Sequence, residues 1–289
     1  MTKSATTAQG FKAGKASKAA IALAVAGLML ATTGCNKLVA RDQLNKGVQA
    51  YKANRFEQAE NFFKNAIAKD PDLAVAKLYL ATACFSQYVP GGDSPENKQK
   101  ADCAIQQYKS VLDASPNQQT KVLSIKGLAS IYFSMKNFDE AKKWDMEAVK
   151  ADPNDPENYY SAAVVDWTET YVPRMEARNK AGITKPDEPI KDKKLCEEIK
   201  TKNGDKVDEG IDLLNKALTK RKDYEDALSY LNLLYREKAD IECGDADARK
   251  ADLAKADDYV QQVMTIKKIK LEKANEQHGG GIVLDQPKQ

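Results

Sequence analysis

Residues 41–72 read RDQLNKGVQAYKANRFEQAENFFKNAIAKDPD, and Gly47, Ala59, Phe63, Ala66 and Pro71 punctuate an otherwise charged stretch. The layout recurs. Gly47 has counterparts at Ala81, Ala129, Ala163 and Asn232, and Ala59 has counterparts at Ala104, Ala141, Gly210 and Ala256. A proline stands twelve residues after the first three members of the second series, at Pro71, Pro116 and Pro153, and Lys222 and Lys268 take that place after the last two. Small residues let two helices approach closely, and a proline ends a helix because it has no amide hydrogen to continue one. Recurrence at a regular interval is the signature of a repeat architecture.

This pattern resembles the tetratricopeptide repeat, a pair of antiparallel helices in about 34 residues. Leu128-Ala129-x-x-Tyr132 carries the family's L-G-x-x-Y position most closely. The resemblance covers residues 40–264 and implies an all-α superhelix of about five helix pairs. From first-helix marker to second-helix marker the five units measure 12, 23, 12, 47 and 24 residues. The surplus therefore lies inside units two, four and five, as inserted loops along one edge. Tyr-Val-Pro at 88–90 and again at 171–173 is expected to end a lengthened first helix. The insertion of unit four is placed at Pro173–Asp205 with a short helix at Leu195–Lys200, and residues 265–289, Lys-rich and then glycine-rich, are expected to be disordered.

The first 34 residues read as an export signal. Lys3, Lys12, Lys15 and Lys18 precede AAIALAVAGLMLA at 19–31, a run of 13 residues. That run is too short to span a bilayer and suits the apolar core of a secretory signal. Thr32, Thr33, Gly34 and Cys35 follow, a layout that resembles a bacterial lipoprotein signal although Thr32 stands where leucine is usual. The resemblance implies a lipid on Cys35, residues 35–39 as anchor and tether, and attachment to a membrane without a spanning helix. Asn36 is not the retention aspartate of enterobacterial lipoproteins, which favours the periplasmic face of an outer membrane. The alternative is an ordinary signal peptide with Cys35 incidental. Removing residues 1–34 lowers the basic count from 45 to 41 against 42 acids, so the net charge moves from +3 to −1. Neither value suggests a nucleic-acid partner.

Family geometry opens certain first-helix positions to a concave groove. Four residues after the first marker stand Tyr51, Phe85, Phe133, Trp167 and Arg236, joined on the same faces by Val48, Leu78 and Tyr160. The resemblance implies an aromatic ladder suited to a protein or peptide partner. The alternative is that these rings pack between successive helices, leaving a structural spacer. Capture of a C-terminal carboxylate is not expected, because Leu44, Val48 and Thr82 hold the positions where Lys and Asn would grip it.

Four cysteines remain after Cys35, and none forms a CxxC pair. Cys84 ends one helix of unit two and Cys103 begins the next, while Cys196 and Cys243 lie in or beside adjacent insertions. The preferred pairing is 84–103 and 196–243, and four unpaired thiols are the alternative. His278 is the sole histidine, which argues against histidine-based catalysis or metal ligation. No cofactor or metal is implied, and GxSxG, P-loop and GxGxxG patterns are absent. The one enzymatic alternative is a carbohydrate hydrolase using Asp166 or Glu169 beside Trp167. The insertion Arg174–Cys196 holds seven basic and four acidic residues and reads as a solvated loop, or as a contact to anionic lipid.

Overall fold

A computed structural model describes residues 35–114 and 117–278. Pro116, the signal at 1–34 and residues 279–289 lie outside the described residues. Ten helices fill the described chain, with no strand. They are α1 (residues 35–52), α2 (Phe56–Lys69), α3 (Ala74–Phe85), α4 (Pro95–Asp113), α5 (Gln118–Ser134), α6 (Phe138–Ala151), α7 (Pro156–Lys180), α8 (Lys193–Lys220), α9 (Glu225–Asp240) and α10 (Ala246–His278).

The helix starts follow from capping chemistry. The side chains of Ser94, Asn117, Asn137, Asp155 and Asp192 each accept a hydrogen bond from a first-turn amide of the helix that follows. These caps satisfy donors that a helix start leaves unpaired. Pro95 and Pro156 sit just inside two of these helices, where a missing amide hydrogen costs nothing. Asn54 and Lys136 take left-handed φ of 57° and 58° and end the first helices of units one and three.

Helices pair consecutively, and first helices stack on one another: α3 packs on α5 and α7 on α9. Small residues set the distance. Ala59, Ala81, Ala104, Ala141 and Ala163 are wholly buried. At Gly47 a Cβ would stand 2.4 Å from the buried ring of Phe63, so no larger residue fits between α1 and α2.

The core divides. One apolar cluster runs from Ala50 to Ala141 across units one to three, and another runs from Tyr159 to Ala256 across units four and five. Val165 alone reaches back from α7 into the first cluster. Between them, α5 and α7 do not pack on each other as α3 and α5 do.

Four expectations need correction. Pro173 does not end α7, which runs through it to Lys180. The last turns are held from outside: Arg174 and Arg178 both bind the buried carboxylate of Asp240, with nitrogen–oxygen distances of 2.8 Å. The Thr170 carbonyl, near the break that Pro173 makes in the helix, accepts Asn203 Nδ2 at 2.8 Å. Leu195–Lys200 is not a separate short helix but the start of the 28-residue α8. The surplus of unit five likewise lengthens α9 and α10 instead of forming a loop, and α10 continues through residues 265–278, which were expected to be disordered. In unit four residues 181–192 remain a loop between α7 and α8, and in unit two the surplus makes a plain loop where Tyr88-Val89-Pro90 follows the end of α3. There Asn97 clasps the backbone, accepting from Val89 N–H at 2.7 Å and donating to the Val89 and Gly92 carbonyls at 2.8 Å.

Two glycines should answer oppositely to alanine. Gly47→Ala is expected to lower unfolding free energy by roughly 1–3 kcal/mol through overpacking. Gly204→Ala, whose Cβ would meet nothing nearer than 3.9 Å, is expected to raise it by about 0.5–1 kcal/mol. Guanidinium denaturation of the two variants measures both signs.

Candidate functional site

The divide between the two cores is lined by charge. On α6 the buried face consists of Ala141, Asp145 and Ala148, so a carboxylate occupies a core position. Asp145 is 5% exposed and Asp166, facing it from α7, is 2% exposed. Burial pushes each carboxyl up to about 7, against the pull of Lys142, and each is raised further by other carboxylates nearby. The two nearby lysines are engaged with other acids. Lys142 Nζ donates to Asp166 at 2.5 Å and lies 3.2 Å from Glu209, and Lys126 Nζ donates to Asp155 at 2.6 Å. Lys142 and Lys126 act on Asp145 only through space, and among the described residues no side chain hydrogen-bonds to it.

A cleft of about 210 Å³ opens above Asp145 between α5 and α7. Its apolar wall is Ala129, Phe133, Tyr160 and Val164, and Ser130, Ser134 and Ser161 supply hydroxyls. Phe133 and Tyr160 are half-buried, each with one side already occupied. Phe133 meets Phe138 at a centroid distance of 5.7 Å, and Tyr160 meets Tyr224 and Tyr230 at 5.2 and 5.4 Å.

The structure brings together only part of the residues placed in the groove by sequence. Phe133 and Tyr160 share the cleft. Leu78 does not belong to a groove: it is 8% exposed, inside the first core. Val48 and Phe85 pack against that core. Tyr51 leans on Phe56 at 5.2 Å, and its hydroxyl is 2.9 Å from Ser86 Oγ. Trp167 packs against Tyr171 and, edge-on, Tyr230. Tyr160 and Trp167 share Tyr230, whereas Tyr51 and Phe133 pair with other rings, so the positions fall into small clusters instead of one continuous ladder. Asp145 was not among the sequence candidates. Its signal lay in the second helices: four residues past the small marker stand Phe63, Tyr108, Asp145, Leu214 and Val260.

Among the described residues Asp145 is the one carboxylate that lines this cleft. Asp166 is covered by Lys142, and Glu169 is bound to Lys206 at 2.5 Å. A second hollow, about 590 Å³, lies between residues 189–193 and the start of α10. Its buried acid, Asp240, is already neutralised by Arg174 and Arg178.

The four cysteines are joined as Cys84–Cys103 and Cys196–Cys243, with Cα separations of 6.0 and 5.4 Å. Glu60 sits beside the first bridge. Burial opposes its charge, but hydrogen bonds from Lys100, Lys64 and Gln87 outweigh that and hold its pKa at about 2. Cys35, the first described residue, is exposed and unbridged.

The raised pKa of Asp145 has a signed consequence for stability. Its folded value of about 7 lies above the ordinary 3.8, so the folded state binds the proton more tightly. Stability tied to this group is complete below pH 3.8 and is lost as pH rises toward 7. The unfolding free energy of Asp145→Asn minus that of the native chain should therefore grow by roughly 2–4 kcal/mol between pH 4 and pH 8. A difference independent of pH, measured by denaturant titration, would contradict this.

No protein-family model matches the sequence, and no curated protein matches it. Among solved structures, the MamA RS-1 ArsTM double mutant is similar at a TM-score of 0.52 and 14% identity, covering 80% of this chain and 96% of that one. MamA 41-end from Desulfovibrio magneticus RS-1 is similar at 0.51 and 14%, covering 79% and 95%. A structure of YrrB, described as a TPR protein with an unusual peptide-binding site, matches at 0.46 and 16%, covering 78% and 90%. At these identities likeness speaks of fold alone. Consecutive helix pairing, stacking of first helices and the likeness to MamA agree that this chain folds as an all-helical tetratricopeptide-repeat superhelix.

Proposed function

We propose that the chain is a binding scaffold held at a bacterial envelope membrane by a lipid on Cys35, and that it contacts a protein partner through the cleft between α5 and α7. The observation that carries the binding role is the cleft itself. It lies where the two apolar cores part, and it leaves Phe133 and Tyr160 half-exposed beside hydroxyls and a buried acid. Aromatic anchors in a partly desolvated recess are the usual centre of a protein contact. A repeat array supplies such surfaces without catalytic groups.

The anchoring role rests on the signal-like residues 1–34 and on Cys35. That cysteine, the first described residue of α1, is exposed, while the other four are bridged. Bridged cysteines suit an oxidising compartment outside the cytoplasm. No helix of the described residues is long and apolar enough to cross a membrane. A lipid would then provide the attachment, with the outer membrane favoured by Asn36.

Two experiments test these roles separately. Metabolic labelling with a palmitate analogue should mark the native chain and be lost in Cys35→Ser; equal labelling of both removes the anchor. In crosslinked pulldowns from envelope fractions, Phe133→Ala with Tyr160→Ala should lower recovery of the partner about tenfold, as loss of an aromatic anchor does. Unchanged recovery leaves a spacer with no ligand in this cleft.

A further inference from the structure

The position four residues past the small marker of each second helix is a packing position. Phe63 and Leu214 are wholly buried there and Tyr108 is 4% exposed. In unit three the same position holds Asp145. This exchange removes an apolar filler and introduces a carboxylate, and the space above it is the cleft of about 210 Å³. A buried carboxylate without a hydrogen-bonded partner is costly to keep. Both lysines that could have neutralised Asp145 are committed elsewhere, Lys126 to Asp155 and Lys142 to Asp166 and Glu209. Two cations thus face three other acids around Asp145, and the acid in the cleft is left over.

What would complete the site is a cation small enough to enter between two rings. Phe133 and Tyr160 offer ring surface, and Ser130, Ser134 and Ser161 offer oxygens that can accept hydrogen bonds. An ammonium or guanidinium head meets all three demands: a charge-assisted bond to the carboxylate, ring contact, and hydroxyl acceptors for its remaining hydrogens. The alkyl stem of such a side chain would lie against Ala129 and Val164.

We propose that this cleft receives a lysine or arginine side chain from an extended segment of the partner protein, with its charged head on Asp145. The inference rests on the binding role proposed above and names the chemistry that the cleft selects. Neither a neutral segment nor an acidic one would satisfy the unpaired carboxylate.

The test uses the bridged chain from residue 35 onward and four pools of synthetic 12-residue peptides. The pools are random except at the sixth position, fixed as Lys, Arg, norleucine or Glu. Binding is read by fluorescence polarisation. The native chain should bind the Lys and Arg pools at least tenfold more tightly than the norleucine pool, and the Glu pool weakest. In Asp145→Asn the preference should shrink to within about twofold while norleucine-pool binding persists. Asp145→Leu, which restores the apolar column, should fold at least as stably and likewise lose the preference. A preference for Lys and Arg that survives in both variants overturns the proposal, because the charge would then be read elsewhere. Equal binding of all pools, abolished by Phe133→Ala with Tyr160→Ala, overturns it too but leaves the cleft as a binding site. Absence of binding by every pool removes the peptide-binding reading and the cation site together.

Discussion

The architecture depends on how closely paired helices can approach. Wholly buried alanines at positions 59, 81, 104, 141 and 163, and Gly47 against the ring of Phe63, set that distance in unit after unit. Each pair then offers its neighbour a shallow apolar face, filled by one larger side chain such as Phe63, Leu128 or Leu214. Nothing in this scheme needs a large central core, so 7% aromatic residues suffice. Because each unit touches only its neighbours, a departure in one unit stays local. Units three and four show such a departure, since the polar layer of Asp145, Asp166 and Lys142 interrupts the apolar packing, which crosses it only in part, through Val165, Met146 and Val149.

That layer is stabilised unequally. Asp166 has a lysine in contact, whereas Asp145 has only the distant pull of charges already engaged. The contrast with Asp240 is instructive. It is just as buried, yet two guanidinium groups meet it, and it ties the end of α7 to the end of α9. One buried acid therefore fastens the fold, and the other subtracts from it at neutral pH. A position that weakens the free protein is the kind that binding energy can restore, since a ligand favouring the folded state adds to its stability.

The repeat itself was legible because its signals are local: small residues at fixed spacing, capping side chains and helix-ending prolines. Failures occurred where a tertiary contact overrode a local rule. Pro173 reads as a helix end, but Arg174, Arg178 and Asn203 hold the chain helical beyond it. Residues 193–220 and 246–278 read as interrupted, yet both form single helices. The site was half visible. Phe133 and Tyr160 follow from first-helix positions, whereas Leu78 was assigned to a groove and lies in the core. Asp145 lies off the first-helix groove positions, on a second helix, where one acid interrupts an otherwise apolar column.

The proposed anchor and the proposed binding cleft are compatible in chain order. Cys35 is the first described residue of α1, and three helix pairs separate it from the far side of the cleft on α7. A lipid there would hold unit one nearest the membrane. Successive units would carry Phe133, Asp145 and Tyr160 away from it, into the space where a partner could present an extended segment. The bridge Cys84–Cys103 lies on that path and covalently joins the two helices of unit two. A cross-link of this kind limits the opening of a helix pair. The described chain is helical from Cys35 onward, so the array would pass the position of the proposed anchor on to the cleft.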